Sequence, residues 1–177
     1  MARTELVELP LTERVVLALV AEGTTHGWAV AQLLGPEGAV GAVWTVRRPL
    51  VYRAIAQLLD QGMLLEAGEA PSVRGPRRTL VRVTPRGRRA TDTWLDAPVR
   101  HVRDMRTEFL LKLLLLDRRA RDRSALVARQ RAEFAVIARE LEGQLASADG
   151  FEAVLLRWRV ESSAAALRFL DALVDNF

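Results

Sequence analysis

The stretch that most constrains the fold is residues 44–60, WTVRRPLVYRAIAQLLD. After a short extended segment come two arginines and Pro49, whose fixed φ and missing N–H suit the start of a helix. Gly62, a frequent helix terminator, follows shortly after Asp60. One face of the predicted helix is apolar and carries Val51, Ile55 and Leu58. The other face carries Tyr52, Arg53, Ala56 and Gln57. The sequence therefore predicts a cationic helix N-terminus with an apolar back, short enough to lie in a DNA major groove.

Two short helices are predicted ahead of this basic one. Thr12 can cap the first, and Thr24 or Thr25 can cap the second, which stops near Gly35. Residues 35–42, GPEGAVGA, are predicted to form a loop because glycine and proline interrupt regular structure. Three short helices of which the third is basic at its start are typical of a helix-turn-helix domain.

A pair of strands is predicted after the basic helix. Residues 63–67 suit one strand, residues 68–76 a loop, and residues 77–83, RRTLVRV, a second strand with alternating character. In the second strand, the residues predicted to point inward are Leu80, Val81 and Val83. Those predicted to point outward are Arg78 and Arg82. Two strands with a basic connection, directly after a helix of the recognition type, predict a wing.

The positive charge of the chain is concentrated in its first half. Residues 1–89 hold 12 basic and 8 acidic side chains, whereas residues 90–177 hold 14 of each. Between residues 70 and 91 there are seven arginines and no acidic residue. Such a one-sided distribution is expected of a nucleic-acid-binding surface. The wing arginines predicted to reach phosphates or a narrow minor groove, with no acid nearby to pair with them, are Arg74, Arg77 and Arg78.

Thr84-Pro85 is predicted to open a further helix, with the threonine as its cap. Three arginines in its first turn lie where cations are unfavourable unless a polyanion is close, which is a further indication of phosphate. They are Arg86, Arg88 and Arg89.

The second half is predicted to be helical throughout. Residues 109–116 are almost uninterruptedly apolar, which implies burial on all sides, and residues 124–145 and 151–174 suit two long helices. In the last helix a seam of residues recurs at spacings of three and four: Leu155, Trp158, Ser162, Ala165, Phe169 and Ala172. Such a seam suits a partner helix. We therefore predict a mainly α fold with a small β-wing, divided into a winged helix-turn-helix domain (1–89) and a helical dimerisation domain (90–177). An intramolecular bundle is the alternative to dimerisation.

Several classes of protein are disfavoured by the composition. The chain has no cysteine, and the eight residues 109–116 are far short of the roughly 20 needed to span a bilayer. His26 and His101 are the only histidines, and neither has clustered carboxylates beside it, so no metal site or nucleophile can be assembled. We expect a cytoplasmic protein that is not an enzyme and that has no cofactor, no metal and no membrane contact.

Two interpretations compete for the polar face of the basic helix. Contact with double-stranded DNA would place Arg53 and Gln57 on base edges and Arg47 and Arg48 on the backbone, whereas the alternative is a solvated face. Tyr52 suits either a phosphate contact through its hydroxyl or ordinary packing. For the group as a whole, the basic wing that follows favours DNA contact.

In several blocks the chain resembles the PadR family of bacterial transcriptional regulators, and the resemblance covers nearly the whole chain. The matching blocks are LTERVVLALVAEG, THGWAVAQLL, WTVRRPLVYRAIAQLLDQGML, RGPRRTLVRVTPRGRRA and TEFLLKLLLLDR. The resemblance implies a winged helix-turn-helix followed by a helical dimerisation region. It also implies DNA contacts from Tyr52 and the start of its helix, including Leu50, and from Arg77 and Arg78 in the wing. Many members are repressors, and some are released by small aromatic or hydrophobic compounds.

One departure from the family concerns residues 47–50, RRPL, where members often have small polar residues. A hydroxyl cap is lost there and two guanidinium groups are gained.

Two tryptophans of the second half, Trp94 and Trp158, are candidates for a ligand pocket. Core packing is the favoured interpretation of bulky aromatics at helical spacing, and stacking against a small hydrophobic ligand at a dimer interface is the alternative. The main functional prediction is a homodimeric, sequence-specific transcriptional repressor. The alternative is a ligand-sensing or protein-interaction helical dimer whose winged domain does not read sequence.

Overall fold

The computed structural model describes residues 9–23, 25–71 and 77–174. Within these residues the chain is mainly helical, with a small three-stranded antiparallel sheet, which confirms the predicted fold class. The regular helices and strands are, in chain order, α1 Leu11–Val20, β1 Thr25–His26, α2 Gly27–Leu33, α3 Arg48–Asp60, β2 Leu64–Ala70, β3 Arg78–Val83, α4 Pro85–Asp96, α5 Leu110–Arg118, α6 Ser124–Leu145 and α7 Gly150–Val174. A single 3₁₀ turn, Val102–Asp104, and a π-helical segment, Met105–Phe109, precede α5.

The chain divides into two compact units. Unit 1 runs to Trp94 and unit 2 begins at Leu95. The division lies within α4, a few residues after the boundary that the sequence suggested between residues 89 and 90.

The core of unit 1 joins α1, α3 and the sheet. Every residue of α1 from Val15 to Val20 is buried, and this helix packs against α3. Even Glu13 of α1 is buried, where its carboxylate accepts a hydrogen bond from Gln61 Nε2 at 3.4 Å. The strands lie in the order β1-β3-β2, so the short β1 and the wing share a central strand. This arrangement joins the segment before α2 directly to the wing.

The wing strands are longer than predicted. β2 continues to Ala70 because a bulge between Glu66 and Glu69 interrupts the register, and Gly68 adopts a φ of +99° there. Glycine tolerates this conformation without strain, so the strand resumes where the sequence predicted a loop. On β3 the fully buried residue is Val81, whereas the other two inward candidates, Leu80 and Val83, are half-buried.

Two predicted helix caps are wrong. Thr12 lies inside α1, which begins at Leu11 without a side-chain cap. Thr25 pairs with Val81 in the sheet, so its backbone is extended and α2 begins only after it. The cap of α2 is His26, whose Nδ1 accepts a hydrogen bond from the Ala29 N–H at 3.1 Å. Thr24 lies outside the described residues.

The predicted cap of α4 is confirmed. Thr84 Oγ1 accepts a hydrogen bond from the Gly87 N–H at 3.1 Å, and its own hydroxyl lies 2.9 Å from the carbonyl of Gly62. One threonine therefore caps α4 and ties its start to the end of α3.

Unit 2 consists of α5 buried on nearly all sides and the long pair α6 and α7. The α7 residues packed inside are Leu156, Ser163, Ala166 and Leu170, so they alternate with the seam rather than belong to it. Lys112 of α5 is buried and donates to the carbonyl of Ala97 at 2.7 Å, with Glu108 3.3 Å away. None of the helices in the described part of the chain combines the length and apolar character that crossing a membrane would require.

Candidate nucleic-acid interface

Helix α3 buries one face and exposes the other. Its inward residues are Val51, Ala54, Ile55 and Leu58. Its outward residues are Arg47 (at its cap), Arg48, Leu50, Tyr52 and Arg53, and Gln57 is half-buried beside them. Thirteen residues at about 1.5 Å each make a helix about 20 Å long. The predicted DNA-contacting residues of this helix therefore lie together on one surface that the rest of unit 1 does not cover.

The start of α3 has no side-chain cap. Arg47 occupies the cap position and makes no capping hydrogen bond, while Arg48 and Pro49 form the first helical positions. The first N–H groups of a helix carry partial positive charge, and two guanidinium groups beside them add to it. This end of α3 is consequently suited to an anion such as a backbone phosphate.

Tyr52 lies half-exposed against α2. A Cβ atom added to Gly27 would lie 2.7 Å from Cε1 of the Tyr52 ring, so any larger residue at position 27 would displace the ring. With 46% of its surface exposed, Tyr52 is seated by its ring edge and is not a core aromatic.

The wing arginines have different surroundings. Arg77 is exposed, and its Nη1 lies 3.1 Å from the Glu69 carboxylate, so the expectation that no acid is near it is wrong. The bulged pairing of β2 with β3 brings this glutamate, eight residues earlier, beside the arginine. Arg78 instead stacks on Trp28, with its Cζ 4.6 Å from the ring centroid. Arg82 is exposed, and Arg74 lies outside the described residues.

Two arginines at the start of α4 contact carbonyl groups of unit 1. Arg86 Nη1 donates to the carbonyl of Gln61 at 3.1 Å, and Arg88 Nη1 donates to that of Ala21 at 3.3 Å. These carbonyls end α3 and α1, where a helix carries partial negative charge that favours cations. The unfavourable position of these arginines is therefore compensated within the protein, and it is not by itself an indication of phosphate.

Sequence reasoning missed the part that Trp28 and His26 play beside the wing. Both residues lie in the matching block THGWAVAQLL, and the sheet pairing His26↔Leu80 is what brings them to β3. No local pattern in the sequence indicates a contact between segments 52 residues apart.

Unit 2 contains an apolar groove of about 1290 Å³ between the segment before α5 and the helices α6 and α7. The predicted seam residues Leu155, Trp158, Ser162, Ala165 and Phe169 line it. Its basic lining residues are Arg100, His101, Arg103, Arg106 and Arg159. Trp158 is 71% exposed and lines the groove, whereas Trp94 is buried and is not one of the lining residues. In the described residues there is no group of three His, Asp or Glu residues that could hold a metal ion.

Comparison with known proteins matches the first half of the chain to a family. The model of the transcriptional regulator PadR-like family matches residues 16–93, which run from α1 into α4. A search of the curated proteins finds no match.

The chain is also similar to solved structures. Bacillus subtilis PadR in complex with operator DNA is 17% identical, with 93% of this chain and 98% of that chain covered and a TM-score of 0.48. Bacillus subtilis PadR in complex with p-coumaric acid is 16% identical, with 98% and 97% covered and a TM-score of 0.41. The PadR-like transcriptional regulator BC1756 from Bacillus cereus is 16% identical, with 93% and 96% covered and a TM-score of 0.40.

The family match contains the uncovered face of α3, the wing strands and the capped start of α4. Residues 16–93, just under half of the chain, therefore carry the match to the transcriptional regulator PadR-like family.

Proposed function

We propose that this protein is a homodimeric, sequence-specific DNA-binding repressor, with unit 1 binding the duplex and unit 2 joining the two copies. The observation that carries the proposal is the outward face of α3, where cationic and amphipathic side chains are exposed together above a well-buried apolar face. A helix of this length, presented by a rigid support, suits the major groove of B-DNA.

Within that proposal, each group has a definite task. Arg53 and Gln57, one turn apart, read base edges, since arginine pairs with guanine and glutamine with adenine. Leu50 supplies apolar contact, and the Tyr52 hydroxyl donates to a phosphate. The residues proposed to bind backbone phosphates are Arg47, Arg48, Arg74, Arg77 and Arg78.

The homodimer is supported by the seam on α7. Three of its members, Leu155, Trp158 and Phe169, are exposed large hydrophobic side chains, and Phe151 at the start of the same helix is 80% exposed. A contiguous apolar surface of this kind marks an interaction site in a soluble protein. A second copy is the partner that fits, because a helix with this spacing packs against its own equivalent. The two recognition helices would then read half-sites related by a two-fold axis.

A binding selection from random duplexes, repeated at two salt concentrations, tests the proposal. We expect an enriched sequence with two-fold symmetry and an affinity that falls steeply with salt. Arg53→Ala should change the preferred sequence. Removing Arg77 and Arg78 together should weaken binding to all duplexes alike and flatten the salt dependence. Absence of any enriched sequence would favour a protein-interaction adaptor instead and would end the proposal.

A second function, release by a small ligand, is favoured by the groove of unit 2. Its apolar floor and basic rim suit a small hydrophobic or aromatic compound with an anionic group, held where the second copy meets α7. Trp158 is the proposed stacking wall, while the buried Trp94 would respond only indirectly. Ligand-dependent quenching of tryptophan emission that Trp158→Phe abolishes, together with weaker operator binding, would support this function. Unchanged emission and melting temperature across a library of aromatic acids would count against it.

A further inference from the structure

Trp28 is a large apolar side chain that the core of unit 1 does not use. It lies in the first turn of α2 and is 38% exposed. Its ring face is covered by the guanidinium of Arg78, whose Cζ lies 4.6 Å from the ring centroid. The two residues belong to segments joined by the pairing of β1 with β3, so the contact is fixed by the sheet.

His26 does not provide an equivalent hold on Arg78. Its Nδ1 accepts the hydrogen bond that caps α2, so a neutral imidazole carries its proton on Nε2. Nε2 lies 3.4 Å from Arg78 Nη1, and both atoms are then donors. The orientation of the Arg78 side chain therefore depends on the face of Trp28.

A stacked guanidinium keeps its hydrogen-bonding capacity. Its N–H groups point outward in the plane of the group, while the aromatic ring contacts only its face. Among the described residues no carboxylate pairs with Arg78, in contrast to Arg77, which Glu69 holds. Among the described arginines of the wing, Arg78 is consequently the one that is both oriented and available to an anion.

We propose that Trp28 is a positioning residue for DNA binding: it holds the Arg78 guanidinium by stacking, so that Arg78 meets a backbone phosphate without first losing the freedom of a long side chain. The inference rests on the proposed function, because it needs Arg78 to contact DNA. The preceding glycine supports it, since Gly27 seats the ring of Tyr52. The turn His26-Gly27-Trp28 thus places one DNA-facing group from α3 and one from the wing.

A double-mutant cycle in the full-length protein tests the inference, with the selected duplex titrated at several salt concentrations. Trp28→Ala should weaken binding about 3- to 10-fold, whereas Trp28→Phe, which keeps an aromatic face, should recover most of the loss. Arg78→Ala should weaken binding and lower the salt slope by about one. In the Arg78→Ala background, Trp28→Ala should have no further effect.

Arg82 on the same strand is the matched control. It is exposed and does not stack on Trp28, so Trp28→Ala and Arg82→Ala should act additively. The inference is overturned if Trp28→Ala weakens binding equally with and without Arg78, or if Trp28→Phe is as weak as Trp28→Ala. It is also overturned if Arg78→Ala leaves affinity and salt slope unchanged while Arg53→Ala still alters the preferred sequence, in which case the proposed function survives. Melting temperatures identify any variant that is merely misfolded.

Discussion

The two units differ in where their large hydrophobic side chains lie. In the described part of unit 1 the exposed ones are Trp28, which Arg78 covers, and Leu50 and Tyr52, which share α3 with Arg48 and Arg53. In the described part of unit 2 they are Val136, Phe151, Val154, Leu155, Trp158, Phe169 and Val174. Unit 1 covers its own apolar surface and presents charge, whereas unit 2 presents apolar helix that only another surface can cover. In the proposed function, unit 1 would supply the contact with DNA and unit 2 would duplicate it by joining two copies.

The largest effect is expected on the seam of unit 2. Changing Trp158 and Phe169 together to glutamate places two charges on the apolar surface that is proposed to pack against the second copy. The dimer dissociation constant should rise at least about 100-fold, since central aromatic residues dominate interfaces of this kind. Sedimentation equilibrium measures the change, and circular dichroism should show the helices intact because both side chains are exposed in the single chain.

Arg157→Glu is the control for that experiment, because Arg157 is an exposed residue of the same helix that does not line the groove. It should leave the dimer unchanged. A wild-type protein that is monomeric in dilute buffer would contradict the proposed role of unit 2, since the exposed seam would then have no partner.

A smaller effect is expected on the free energy of unfolding, which should differ between substitutions on the buried and the exposed face of α3. Leu58→Ala removes a fully buried side chain and should lower the free energy of unfolding by about 2–5 kcal/mol. Leu50→Ala removes one that is 47% exposed and should change that free energy by no more than about 0.5 kcal/mol. Urea denaturation gives both values. Equal losses at the two positions would show that the outward face is covered in solution, and α3 would then be unavailable to DNA.

The smallest effect concerns the ion pair of the wing. Glu69→Gln removes the carboxylate beside Arg77, an exposed pair whose loss should cost about 0–1 kcal/mol of stability. DNA binding should become tighter, by about 2- to 5-fold, because the freed guanidinium no longer has to leave a partner to meet a phosphate. Fluorescence anisotropy with a labelled operator measures this gain.

Glu66→Gln removes the same charge from an exposed position on the same strand, opposite Val81 and without the Arg77 contact. The difference between the two variants isolates the ion pair from the general loss of negative charge. An equal gain in both would show that Glu69 does not restrain Arg77.

Much of the architecture was accessible from local patterns. The spacing of Val51, Ile55 and Leu58 predicted which face of α3 is buried, and the bounds of α6 agree with the predicted range 124–145. The cap at Thr84 was predicted from two adjacent residues. The cap of α2 was not predicted correctly, because Thr25 is paired in the sheet and His26 is the residue that caps the helix.

The sequence by itself determined the periodic features of this protein: an amphipathic basic helix followed by strands, an all-round apolar α5, and a seam on α7. Each depends on spacings of a few residues, so neighbours along the chain suffice to specify it. Only the tertiary structure decided what each arginine does. Arg77 pairs with Glu69, Arg78 stacks on Trp28, and Arg88 donates to the carbonyl of Ala21, 67 residues away along the chain. A guanidinium group contacts whatever partner the fold brings within reach, and two of these three partners come from distant segments.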